Sequence, residues 1–156
     1  MFKVLFVCTG NTCRSPMAEA LFRKKITEHN LDGSIMVGSV GLAAINGDRA
    51  SKHACLAMQA YGLHLESHAS RQITSEAILS TDLILTMTNG HKHAILRAMP
   101  ALKGRVFTLS EYADEALDVM DPFGGNEAIY QACAQSIQRY IEKVWPKVIA
   151  CMNKKS

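Results

Sequence analysis

Apolar and polar positions along the chain follow two alternating rhythms. Short, largely apolar runs rich in β-branched residues, at 3–7, 35–40, 82–87 and 105–109, predict four strands. Between them the apolar positions take helical spacing, over 16–29, 50–61, 75–80 and 89–99. Helix 16–29 is predicted to start with Ser15 as N-cap, Pro16 at its first position and Glu19 in its first turn, beside the positive end of the dipole. Gly62 closes the second helix, and Pro100 stops the fourth. From Glu127 onward Ile129, Cys133, Ile137, Ile141, Val144 and Val148 recur on one face, an amphipathic terminal helix that Pro146 is expected to kink or end locally.

Strands alternating with helices, joined by right-handed crossovers, predict an α/β fold. The expected form is a single domain over 1–156, a doubly wound four-stranded parallel sheet flanked by helices. Such sheets bind ligands beyond the carboxyl ends of their strands, near the point where strand order reverses.

The bulk numbers narrow the function more by exclusion than by indication. A chain of 156 residues, 48% hydrophobic and 20% charged, buries a core without disulfide staples. Its formal charge of +3 suits an anionic substrate but does not argue for nucleic acid, and none is expected as a partner. The apolar start MFKVLFV is too short for a secretory signal, and no run approaches the roughly 20 apolar residues of a membrane span. Five cysteines, an odd number without paired spacing, fit a reducing compartment. A cytoplasmic monomer without membrane association is expected. No repeat, linker or low-complexity tract interrupts the pattern.

Candidate chemistry concentrates in VCTGNTCRSP, directly after the first strand. In that position the amides of residues 9–14 curl around the space above the Cys8 sulfur, and the next helix points its N-terminus into the same space. Together with Arg14 they form an anion cradle, which also favours the thiolate of Cys8. Five residues separate Cys8 from Arg14, enough for a closed loop to return the guanidinium opposite the sulfur, where it can grip two phosphoryl oxygens. Gly10 and Asn11 tolerate positive φ, and Ser15 can donate to the Cys8 sulfur as well as cap the helix. Thr9, Gly10, Asn11, Thr12, Cys13, Arg14 and Ser15 thus line a phosphate-sized nest with a nucleophile in its floor. A buried structural cysteine beside a surface arginine is the plain alternative, disfavoured by the placement after a strand and before Ser-Pro.

A leaving group needs a proton donor. In VMDPFGG, Asp121 precedes a proline and is biased to extended geometry, on a loop shaped by Pro122, Gly124 and Gly125. A carboxylic acid there can protonate the leaving group and later activate water.

CTGNTCRSP followed at a distance by DPFGG resembles the low-molecular-weight protein-tyrosine phosphatase family, and SHASRQI and DLILTMT are similar to family segments in the same order. The likeness covers essentially the whole chain. It implies a phosphatase with Cys8 as nucleophile, forming a phosphocysteine. Arg14 then binds the phosphoryl group and stabilises the transition state, and Asp121 acts as general acid and then base. By the same resemblance Asn11 and Ser15 order the loop and tune the thiolate, and His68 supports Asn11. No metal or other cofactor is implied.

Thr12, in place of an apolar residue, and Phe123 followed by glycine rather than a second aromatic resemble the bacterial protein-arginine phosphatases. That likeness implies phosphorylated proteins as substrates and phosphoarginine as the preferred group, with Thr12 and Phe123 setting selectivity and Asp121 and Phe123 meeting the guanidinium. A small polar wall admits a planar hydrogen-bonding cation where a branched apolar wall favours a phenyl ring. Phosphotyrosine is the alternative.

Cys13 is either a redox partner that bridges Cys8 reversibly or a small packing residue. Cys55, Cys133 and Cys151 are read as core or surface thiols. TMTNGHKHAI lacks the cysteine relay of an arsenate reductase. His91 and His93 lack a third ligand at metal spacing and are read as a solvated face. The acidic run 111–118 is read as a solvated segment, with recruitment of basic substrates as its alternative. A phosphoryl carrier would need neither Arg14 nor Asp121, and a non-catalytic binder would not need all three groups.

Overall fold

A computed structural model describes residues Met1–Ser156. Its sheet contains β1 (Phe2–Cys8), β2 (Ile35–Gly41), β3 (Leu83–Thr86) and β4 (Val106–Thr108) in the order β2-β1-β3-β4, with every pairing parallel. The helices are α1 (Arg14–Glu28), α2 (Lys52–Gln59), α3 (Ser75–Leu79), α4 (Asn89–Ala98), α5 (Leu109–Tyr112) and α6 (Glu127–Lys155). No helix is long and apolar enough to cross a membrane.

From Val4 to Cys8, β1 reads as a continuous apolar run because both of its faces are covered. Phe2, Val4, Phe6 and Cys8 belong to the larger core, with Met17, Leu21 and Phe22 of α1 and Ile137, Ile141 and Val144 of α6. Leu5 and Val7 belong to the smaller core on the opposite face, with Ile78, Ile84, Ile95 and Val106. Phe6 meets Phe22 edge-on at 5.6 Å between centroids, and Phe22 meets Trp145 at 5.4 Å, which ties the central strand to both long helices.

The chain leaves β1 towards β2 on one side and later returns to β3 on the other. The strand order therefore reverses at the carboxyl end of β1, where Cys8 pairs with Gly41 and Val7 with Thr86. This is the location expected for a ligand.

Four local expectations are corrected. Helix α1 begins at Arg14 with Cys13 in the cap position and no side-chain cap, so Ser15 is its second residue and Glu19 lies beyond the first turn. The reason is competition: the Ser15 hydroxyl is engaged with Cys8 and Asn11 and is withdrawn from capping. Pro16 is its third residue rather than its first, still among the first four amides, which have no intrahelical acceptor. At the other end α6 runs through Pro146 without interruption. Pro146 and Glu142, whose carbonyl the proline leaves free, lie on the exposed face, while Val144, Trp145 and Val148 stay buried. The freed carbonyl is on the face open to solvent, and packing on the other face holds the helix together.

Candidate active site

The loop from Thr9 to Cys13 closes over the end of β1 and leads directly into α1. Asn11 is the pin of this loop. It is fully buried and adopts φ 56°, a left-handed conformation that asparagine tolerates better than most residues. Gly10, by contrast, does not use positive φ.

The bonds around Asn11 orient one another. Its Oδ1 accepts from the Arg71 backbone N–H at 2.9 Å, so its Nδ2 is the atom facing the serines, donating to Ser15 Oγ at 2.8 Å and Ser39 Oγ at 2.9 Å. Ser39 in turn donates to Glu19 Oε2 at 2.5 Å. Ser15, already an acceptor, has its own proton to give, and Cys8 Sγ lies 2.9 Å away against 3.5 Å for the Val40 carbonyl. A hydroxyl donor at that distance stabilises a sulfur anion. The Asn11 carbonyl can only accept, so the His68 Nε2 at 2.8 Å carries a hydrogen.

Arg14 is 4% exposed, and its guanidinium divides its reach. Nη1 donates to the Val119 carbonyl at 3.1 Å, and Nη2 stands 3.6 Å from Asp121 Oδ2. Val119 is also tied to the residue that follows β3, its N–H donating to the Met87 carbonyl at 2.9 Å. The segment from Leu117 to Phe123 is thereby strapped across the end of the sheet. Asp121 is half-exposed and accepts the Phe123 N–H at 3.1 Å, while the Phe123 ring is 83% exposed at the mouth. Asp121 is thus brought from a distant part of the chain to Arg14, in the same loop as Cys8.

The rim consists of Thr9, Thr12 and Cys13. Thr12 is half-buried, and its carbonyl receives the Ser51 N–H at 2.8 Å, which docks α2 onto the loop. Burial pushes the Cys13 thiol up, the Thr12 hydroxyl pulling weakly the other way. Burial pushes Cys133, behind the strap, up to about 12, so it remains a neutral thiol that points at the Met120 carbonyl.

Gly41 and Ser39 were not legible as site residues, and neither was His91. A Cβ on Gly41 would stand 2.5 Å from the Thr9 carbonyl oxygen and 2.9 Å from the Asn11 nitrogen, so the loop requires glycine beneath it. Gly41→Ala is expected to cost about 2 kcal/mol of stability and to weaken inhibition by inorganic phosphate, read from a denaturant midpoint and an inhibition constant. Unchanged values for both would show that the loop has room to move.

His91 is 8% exposed with Nε2 2.9 Å from Thr9 Oγ1, so the expected solvated face applies to His93 but not to it. No three His, Cys, Asp or Glu side chains come together in a metal-holding group. The acidic run is largely neutralised: Glu111 pairs with Lys92 at 2.8 Å, Asp114 with Lys147 at 2.7 Å and Glu115 with Lys143 at 2.7 Å. Charges cancelled so locally project little field, which weighs against recruitment of basic substrates by that run.

The model of a family described as low molecular weight phosphotyrosine protein phosphatase matches residues 3–155. A protein-arginine-phosphatase of Geobacillus stearothermophilus is 38% identical over 148 residues, spanning 94% of this chain and 96% of that one. The low molecular weight protein-tyrosine-phosphatase PtpB of Staphylococcus aureus is 38% identical over 149 residues, spanning 96% and 99%. Among solved structures, a Cys-to-Ser variant of the YwlE arginine phosphatase with a phosphorylated active-site serine superposes with a TM-score of 0.88 at 37% identity, covering 94% of this chain and 95% of that one.

Proposed function

Since the chain belongs to the low-molecular-weight phosphotyrosine protein phosphatase family, we propose that it removes the phosphoryl group from phosphoarginine side chains of proteins by way of a covalent intermediate on Cys8. The observation that carries this reading is the buried Arg14 guanidinium, held between the Val119 carbonyl and Asp121 on the same side as the Cys8 loop. A phosphoryl group in the loop meets the sulfur below, the loop amides around it and the guanidinium at its rim.

In the first step the Cys8 sulfur attacks phosphorus in line. An S–P bond forms as the N–P bond breaks, and Asp121 gives its proton to the departing guanidino nitrogen. In the second step the Asp121 carboxylate takes a proton from water as that water attacks the phosphocysteine, releasing phosphate and returning the thiolate. Ser15 donates to the sulfur whenever it is anionic, and Asn11, Ser39 and His68 hold the loop that surrounds it. Asp121 also serves selectivity, because once it has given up its proton its carboxylate pairs with the departing cationic guanidinium, a charge pairing that a phenol cannot supply. Five unpaired thiols suit a cytoplasmic enzyme, and a carrier role would leave Asp121 without a task.

Thr12 favours phosphoarginine over phosphotyrosine by the shape and polarity of the wall it presents. On peptides carrying one or the other group, kcat/KM is expected to favour phosphoarginine at least about tenfold, or 1.4 kcal/mol of transition-state discrimination. Thr12→Ile should move the preference towards phosphotyrosine. A wild-type preference for phosphotyrosine would reject the substrate while leaving the chemistry intact. That second reading is favoured by the open Phe123 ring, which offers a face for a phenol to stack on.

A further inference from the structure

His91 occupies the first turn of α4, where its backbone N–H donates to the capping Thr88 Oγ1 at 3.2 Å. Its ring is more than nine-tenths buried, and one ring nitrogen, Nδ1, has no hydrogen-bond partner. The other, Nε2, lies 2.9 Å from Thr9 Oγ1, on the residue that follows Cys8. Leaving a buried polar atom unpaired is unfavourable, and neither the helix nor its cap requires an imidazole at this position. The bond to Thr9 is the one polar contact that the ring makes.

The surroundings set its charge. Burial is the main influence, the Arg14 guanidinium adds to it, and Asp118 and Asp121 oppose more weakly; the result pushes His91 down to about 4. The ring is therefore neutral across the physiological range. It holds a threonine hydroxyl without placing a second positive charge beside Arg14, where one would compete for Asp121.

We infer that His91 is a positioning residue for the phosphate cradle, fixing Thr9 and with it the wall of the loop adjoining the Cys8 sulfur. The inference rests on the phosphatase reading of that loop. It adds a tether from the α4 side of the sheet, opposite the one that Asn11 receives from His68 and Arg71.

The test is a double-mutant cycle of His91→Leu and Thr9→Val, with His91→Gln as the conservative variant, read as kcat/KM on a phosphorylated peptide and as the affinity for inorganic phosphate by calorimetry. Each single change is expected to lower kcat/KM about tenfold, and the double variant should lose no more than either single one, since the same bond is removed. Glutamine, which reaches as far as Nε2, should restore most of the loss. Thr9 is exposed, so Thr9→Val tests the bond even where His91→Leu unfolds the protein. Losses that multiply to about a hundredfold in the double variant, a silent Thr9→Val, or glutamine no better than leucine would each overturn the inference. A wild type that turns over no phosphorylated peptide would reject the catalytic reading instead, and the phosphate affinities would still decide whether His91 shapes the loop.

Discussion

Cys8→Ser is expected to lower turnover of every phosphorylated substrate by about 10⁴-fold or more, with the fold unchanged. The substitution is nearly isosteric, at a site 2% exposed whose neighbour Ser15 Oγ lies 2.9 Å away. It leaves the cradle in place and removes only the polarisable sulfur. A hydroxyl does not ionise under the conditions that favour a thiolate, and the side chain bonded at that position, Ser15, is no base that could deprotonate it. Attack on phosphorus therefore becomes slow, but it remains geometrically possible, and the ester formed would hydrolyse slowly too. The YwlE variant with a phosphorylated active-site serine is the corresponding state in a relative. Intact-protein mass spectrometry of Cys8→Ser after incubation with substrate should thus detect one added phosphoryl group. Retention of turnover within tenfold of wild type would show that the nucleophile lies elsewhere.

Arg14→Lys should lower kcat/KM about 10³-fold, although the charge is kept. The guanidinium holds the Val119 carbonyl through one nitrogen and faces Asp121 with the other, and its remaining N–H bonds are available to phosphoryl oxygens. A lysine ammonium is a single point of charge. It can hold the strap or face the phosphoryl group, but it cannot present two parallel bonds to the oxygens while doing the first. The loss should appear mainly in kcat, because the guanidinium acts most strongly on charge that develops in the transition state. Inhibition by inorganic phosphate should weaken much less than kcat falls. If Arg14→Lys remained within threefold of wild type, charge alone would suffice and the bidentate role would be wrong.

What could be read from the chain in advance follows how far apart the interacting groups lie. The loop is one continuous segment, so its position between strand and helix, with Cys8 at one end and Arg14 at the other, was legible from strand, turn and helix start. The parallel sheet was legible for a similar reason: β1 and β3 are covered on both faces, and Val4–Cys8 and Leu83–Leu85 read as continuous apolar runs. Ser15 was placed correctly as the partner of the sulfur but wrongly as the cap, because a local helix signal gave way to a bond with Asn11. Ser39 lies 28 residues from Asn11 and His91 82 residues from Thr9, and neither sits in a pattern that marks it. Gly41 looked like any strand-ending glycine until the loop was seen above it. Pro146 was misjudged because propensity acts on one helical bond whereas packing acts on the whole buried face.

The strap across the mouth is held along its backbone and opens outward only at its tip. Val119 is gripped from two sides, by Met87 through its N–H and by Arg14 through its carbonyl, while Asp121 and Phe123 stand largely in solvent just beyond it. The groups proposed to act on phosphorus, Cys8, Arg14 and Asp121, are thereby set apart from the outward-facing tip at Phe123, which is 83% exposed. Substitutions at the free tip can alter which leaving group is accepted at little cost to the fold or the nucleophile. A scaffold divided in this way is open to changes of diet within a lineage, and two relatives equally similar to this chain, one named for arginine and one for tyrosine, are what such a division would produce.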